Sequence, residues 1–209
     1  MSEQQLTQTS ELDHPSEGYI VIAPLSEASK QKIALIQQRY LDRFGEENVW
    51  LPSGDQLHIT FSHLITPNVE YEEDKASLFA KIKPLASAAL EKTVTHPMAV
   101  TSQFNTVEAF PSAVIIKASD DGSFQRLRKN FVDNFDTPQG TRVPPEIIHT
   151  TLVRFKNPVD FLAVQELTAE IIADFEPFEE VTNTLQMIHE KKIFVQEHAV
   201  LEEFPPIAA

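Results

Sequence analysis

The chain of 209 residues is 42% hydrophobic and 23% charged, with 14 prolines, 5 glycines and no cysteine, a composition that excludes disordered, collagen-like and disulfide-stapled classes. No apolar run approaches the roughly 20 residues that a membrane helix needs, and the polar, acidic stretch 1–17 lacks the basic start and apolar centre of a secretory signal, so the expectation is a cytoplasmic protein with no membrane partner. The net charge of −14, from 17 Lys plus Arg against 31 Asp plus Glu, opposes binding to a long nucleic-acid duplex, which needs many cationic contacts, but leaves room for a local site holding one phosphate or one strand end.

In chain order, Gly18 to Leu25 reads as a short buried strand ended by Pro24. A helix follows from an N-cap at Ser26, carries Ile33, Leu35, Ile36, Tyr40, Leu41 and Phe44 at helical spacing, and stops at Gly45. After the turn Leu51-Pro52-Ser53-Gly54-Asp55, residues 56–65 alternate polar and apolar like a strand. Glu70 to Glu91 reads as a helix that Pro84 should bend or divide. Met98 to Phe110 and Ala113 to Ala118 read as strands joined at Pro111-Ser112, and a helix with Phe124, Leu127, Phe131 and Phe135 follows Asp120-Asp121-Gly122. The approach Val143-Pro144-Pro145-Glu146 leads into a strand over 147–155, and a helix covers about 159–175. The remainder, 181–194 and 196–204, reads as one or two strands turning near Glu190-Lys191-Lys192. The acidic runs 70–74 and 176–180 read as solvated helix ends or loops.

The two halves repeat one order of elements: strand, helix, Pro/Gly turn, histidine-bearing strand, helix, strand. His149 lies 91 positions after His58, and Val114 lies 93 after Val21. The expectation is two similar lobes facing a cleft: an N-terminal tail over 1–17, one bilobal unit over 18–204 with halves near 18–109 and 110–204, and a C-terminal tail over 205–209. A monomer is expected.

Strand alternation places His58, Thr60 and Ser62 on one face, opposite Leu57, Ile59, Phe61 and His63. In the second strand His149, Thr151 and Val153 share a face, opposite Ile148, Thr150, Leu152 and Arg154. Each strand thus presents an imidazole and a hydroxyl two residues apart. Two such strands across a cleft suit phosphodiester chemistry near neutral pH. One neutral imidazole takes a proton from water, the other donates one to the leaving oxygen, and the threonine hydroxyls hold the non-bridging oxygens. Neither a metal nor a cofactor is called for. The triplet alone is weak, as His14-Pro15-Ser16 shows; its pairing within matching strands is the signal. Tyr19, Phe155 and Trp50 are aromatic candidates for stacking a base. His63 reads as structural, and His96, His189 and His198 as surface residues; a zinc site lacks both an HExxH pair and cysteines.

Leu57-His58-Ile59-Thr60-Phe61 and Ile148-His149-Thr150-Thr151-Leu152 resemble the paired His-hydrophobic-Thr/Ser-hydrophobic motifs of the two-histidine (2H) phosphoesterases, the superfamily of LigT-like RNA cyclic phosphodiesterases and cyclic nucleotide phosphodiesterases. The resemblance spans Gly18 to Phe204. It implies a bilobal α+β fold of pseudo-twofold duplicated strand-helix-strand-helix-strand lobes, with antiparallel sheets facing a central cleft. It also implies metal-independent hydrolysis of a 2′,3′-cyclic phosphate or related 2′-linked phosphodiester of a nucleotide or RNA end. His58 and His149 take the catalytic positions, and Thr60 and Thr151 the phosphate-binding ones. Thr150 stands where the family has an apolar residue, and Ser62-His63-Leu64-Ile65-Thr66-Pro67 departs from the LigT-like apolar-then-glycine run. Arg154 occupies a position where several LigT-like members carry arginine, although ideal alternation turns it away from His149. A non-catalytic nucleotide-binding or scaffold module and an RNA 2′-5′ ligase are the alternative functions.

Overall fold

A computed structural model of the chain describes residues 5–94 and 99–204. Strand β1 (Pro15–Pro24) leads into helix α1 (Glu27–Phe44), whose N-terminus is capped by Ser26 Oγ accepting from the Ser29 amide at 3.3 Å and whose end is Gly45 at φ 79°. The short β2 (Val49–Trp50) and a 3-10 turn at Gly54–Gln56 precede β3 (His58–Ile65). Helix α2 (Lys75–Thr93), capped by Asp74, runs through Pro84 as one element, so the proline does not divide it. Then come β4 (Val100–Phe110), β5 (Ala113–Ser119), α3 (Ser123–Asn134), β6 (Ile148–Phe155) and α4 (Phe161–Asp174). The beginning of the expected strand at Met98, and His96, lie outside the described residues.

The C-terminal part differs from the expected pattern. It forms β7 (Phe178–Thr182), β8 (Leu185–Lys192) and β9 (Glu197–Phe204), and the tight turn is at Ile193–Val195 instead of Glu190–Lys192. β7 and β8 are adjacent in sequence but pair in different sheets, so the chain crosses between sheets at residues 183–184. Glu179 and Glu180 belong to β7, and Glu180 is not solvated. It is 1% exposed and accepts from the Ser26 amide at 3.1 Å and the Ser26 hydroxyl at 2.8 Å, joining the head of α1 to the second sheet.

Both sheets are antiparallel, in the orders β3-β1-β8-β9 and β2-β6-β5-β4-β7. They do not follow the halves 18–109 and 110–204. β2 and β4 join the second sheet, and β8 and β9 complete the first. The helices exchange as well: α1 packs on β6 and β2, while α3 packs on α2 and sets Phe124 and Phe131 against Phe61 of β3 with ring centroids 5.8 Å apart. In each repeat the first helix therefore crosses to the opposite sheet. One continuous apolar core, including Ile33 and Tyr40 of α1, Phe61 of β3 and Phe131 of α3, runs through both lobes and makes them a single cooperative body.

The described part of the expected N-terminal tail is tied down from residue 5. The amide of Thr7 bonds the Val159 carbonyl at 2.9 Å, Gln8 bonds Pro111 at 2.7 Å, Ser10 bonds Phe155 at 2.7 Å, and residues 15–17 already belong to β1. Among the described residues no helix is long and apolar enough to cross a membrane.

Candidate active site

The two histidine strands are not ideal. Along β3 the partner register on β1 passes from Ile22↔Thr60 to Val21↔Ser62, which leaves Phe61 as the extra residue of a bulge. Along β6 the register on β5 passes from Ile115↔Thr151 to Val114↔Val153, which leaves Leu152 as the extra residue. Phe61 and Leu152 each stand three positions after their histidine, so the bulges are equivalent. Each shifts the alternation by one residue. Ser62 and Val153, expected on the cleft face, turn into the interior, and His63 and Arg154, expected behind it, come round to the cleft. His63 therefore lines the cleft, and Arg154 joins His149 and Thr151 there.

The bulges are held from behind. Arg128 of α3, 2% exposed, donates from Nε to the Phe61 carbonyl at 3.1 Å and from a terminal nitrogen to the Thr60 carbonyl. Its other nitrogen reaches Pro145 at 2.7 Å and Ile147 at 3.1 Å, at the entry of β6. Gln37 of α1, 91 residues earlier, does the equivalent on the other side, donating to the Leu152 carbonyl at 3.0 Å and to Pro52 at 2.8 Å. The exchanged helices thus supply donors to the backbone of both bulges, whose carbonyls would otherwise be buried without partners.

The resulting cleft, about 260 Å³, is lined by His58, Thr60 and His63 from β3 and by His149, Thr151 and Arg154 from β6, with the 66–68 and 142–145 loops and the 193–195 turn closing its sides. His58 Nδ1 bonds the Gln56 carbonyl at 2.7 Å. A carbonyl only accepts, so the proton sits on Nδ1, and Nε2, 3.4 Å from Thr60 Oγ1, is left as an acceptor. His149 lies toward the Ile147 carbonyl in the same relation, without a well-formed bond to it.

Burial, reinforced by the neighbouring His198 and His149, holds His58 down to about 4 against the opposing pull of the Gln56 carbonyl. Burial and the Arg142 charge hold His63 down to about 4. His149 is lowered by burial and by Arg128, Arg154 and Lys117. Arg154, lowered to about 10 by burial, stays charged at neutral pH, with its guanidinium 3.6 Å above the Phe194 ring. Among the described lining residues the one carboxylate is Glu190, whose Oε1 accepts from the Val195 amide at 3.0 Å. It secures a turn in which Phe194 and Val195 both have φ near 60°, a conformation non-glycine residues seldom adopt.

Neutral buried histidines make stability depend on pH. The unfolded chain takes up its histidine protons near pH 6.5, whereas folded His58 and His63 resist protonation down to about 4. Their contribution is complete above pH 6.5 and is lost as the pH falls toward 4, by on the order of 3 kcal/mol for His58 alone. Denaturant midpoints measured from pH 7.5 to 4.5 should fall steadily in wild type and less steeply in His58→Gln; coincident slopes would refute the assignment.

Of the other candidates, Tyr19 is core, stacked between Phe79 at 3.8 Å and His189 at 4.7 Å, and Phe155 is fully buried, so neither reaches the cleft. Both are aromatic residues in strands, and packing takes them inward. Trp50 pairs with Arg154 through the backbone and does not line the cleft. Thr150 is buried behind β6. His198 is not a surface residue: its side chain is 5% exposed, with Nδ1 toward the Val195 carbonyl at 3.3 Å and Nε2 3.8 Å from Asp55.

No family model matches this sequence, and no curated protein sequence matches it. Solved structures do share its fold. TT0787 of Thermus thermophilus superposes with a TM-score of 0.61 at 15% identity, over 90% of this chain and 97% of its own. ATU0111 of Agrobacterium tumefaciens gives 0.59 at 15% identity, over 91% and 87%. E. coli LigT complexed with ATP gives 0.56 at 13% identity, over 92% and 98%. The chain has the α+β fold of LigT over nearly its whole length.

Proposed function

We propose that this chain is a metal-independent two-histidine phosphoesterase that hydrolyses a 2′,3′-cyclic phosphate, or a related 2′-linked phosphodiester, of a nucleotide or RNA end. The observation that carries the reading is the equivalent presentation of His58 with Thr60 and His149 with Thr151 on two bulged strands lining one cleft. LigT of E. coli, which shares the fold, has structures complexed with ATP, NADP+ and 3′-AMP, and this favours a nucleotide ligand.

In the proposed reaction water attacks phosphorus while His58 Nε2, held as an acceptor by the Gln56 carbonyl, takes its proton. The bond from phosphorus to one ribose oxygen breaks, and His149, carried in its protonated form when the bound phosphate anion offsets the burial and the Arg128 and Arg154 charges that lower it, supplies the proton to that oxygen. Thr60 and Thr151 hydroxyls donate to the non-bridging oxygens, and Arg154 offsets the charge that builds on them. The products are a phosphomonoester and a free ribose hydroxyl.

Hydrolysis of 2′,3′-cyclic mononucleotides and of an oligonucleotide with a cyclic-phosphate end, measured in EDTA with phosphorus NMR of the product, tests the proposal. Turnover in EDTA is the expected result, and the position of the product phosphate identifies the leaving oxygen. Tight nucleotide binding without turnover of any cyclic substrate would overturn it in favour of a binding module.

A further inference from the structure

The cleft carries more cationic chemistry than one phosphodiester uses. A cyclic phosphate has a single negative charge, and the β6 side already offers Arg154 next to His149 and Thr151. A second set of donors, with Arg142 as its cation, lies beside the other end of β3. His63 is five residues beyond His58, four extended steps and a bulge, which separates their Cα atoms by about 13 Å along the strand. A phosphoryl group within hydrogen-bonding distance of both His58 and His149 leaves His63 and its neighbours unused.

Arg142 stands beside His63, and its placement is built in. Its amide donates to Thr66 Oγ1 at 2.8 Å, and the preceding Thr141 hydroxyl meets the Leu64 carbonyl at 3.3 Å and the Tyr71 hydroxyl at 3.1 Å. Tyr71 in turn accepts from the Thr66 amide at 2.8 Å, and Lys75 holds the same turn through the Pro67 carbonyl. Four side chains thus lock two loops together and carry an exposed guanidinium to the cleft wall, where it makes no ion pair among the described residues. His63 Nδ1 is buried without a hydrogen-bond partner. A buried N–H with no acceptor is costly, so the neutral ring keeps its proton on Nε2 and presents a donor to the cleft. This is opposite to His58, whose Nε2 is an acceptor, and it suits His63 to binding an anion instead of taking a proton. Asn68 completes the set.

We infer that His63, Arg142 and Asn68 form a second phosphate subsite, so that the preferred substrate carries another phosphoryl group one nucleoside away from the cyclic phosphate. The inference rests on the phosphoesterase reading for the identity of the first phosphate. The second can be a terminal 5′-phosphate or the internal diester of an oligonucleotide; both offer anionic oxygens to the same donors.

The test compares kcat/KM for adenosine 2′,3′-cyclic phosphate, its 5′-phosphorylated form, and the adenylyl-adenosine dinucleotide ending in a 2′,3′-cyclic phosphate. At least one of the two larger substrates should exceed the first by about 10-fold or more, chiefly through KM, as charge-assisted hydrogen bonds allow, and which of them does so identifies the phosphate source. In Arg142→Gln that ratio should collapse toward one, and in His63→Gln it should shrink. A wild-type ratio near one, or a ratio that survives Arg142→Gln, overturns the subsite. Equilibrium binding of adenosine 3′,5′-bisphosphate against 3′-AMP reads the same subsite without turnover. A preference for the bisphosphate that is lost in Arg142→Gln, in a chain that hydrolyses no cyclic substrate, would uphold the subsite and overturn the phosphoesterase reading.

Discussion

Replacement of either His58 or His149 by alanine is expected to lower turnover of a cyclic phosphodiester by about 10² to 10⁴, the usual contribution of one general acid or base, without loss of the fold. Both rings face the cleft, and their strands are paired through backbone bonds that do not involve them. The two losses should differ in one respect. If His149 supplies the proton to the leaving oxygen, a diester with a p-nitrophenolate leaving group, which departs without protonation, should recover much of the lost rate in His149→Ala and little in His58→Ala. Equal recovery would remove the assignment of base and acid, and full activity of either variant on the cyclic substrate would remove the two-histidine mechanism itself. The double variant should be little worse than the single ones, because the two groups act in one transition state.

The second large effect is expected far from the reacting atoms. Arg128→Met takes away donors to four carbonyls, those of Thr60, Phe61, Pro145 and Ile147. The arginine is itself held down to about 10 by burial, so relief of that desolvation offsets part of the cost. The Phe61 carbonyl left buried without this donor, and those of Thr60, Pro145 and Ile147 stripped of it in partly buried surroundings, outweigh that relief, and a net loss of about 2 kcal/mol in stability is expected, read as a lower denaturant midpoint at pH 7.5. Turnover should fall as well, by about 10-fold or more in kcat, because the same guanidinium sets the spacing between the Thr60 bulge and the approach to His149. Gln37→Leu, which removes donors to the Leu152 and Pro52 carbonyls only, should cost less stability. A wild-type midpoint in Arg128→Met would show that the bulge on β3 holds without this clamp.

Local sequence determined a good deal of this protein. The cap at Ser26 and the stop at Gly45 delimit α1 within one residue, because capping is a matter of side chains next to the backbone they satisfy. The His-x-Thr pairs and the repeat that contains them were legible for the same kind of reason: alternation along a strand and order along a chain need no knowledge of the partner. What a strand does after its motif was not legible. His63 and Arg154 reach the cleft only because β3 and β6 slip by one residue against β1 and β5, and a slip of register is decided between strands that lie far apart in sequence. Tyr19 and Phe155 went to the core through the same non-local packing. The exchange of β4, β8, β9, α1 and α3 between the lobes, with Arg128 and Gln37 reaching across to hold the opposite bulge, likewise belongs to the tertiary structure alone. Hydrophobic pattern marks which face of an element is buried, but which sheet it is buried against is settled only when all the faces are packed together.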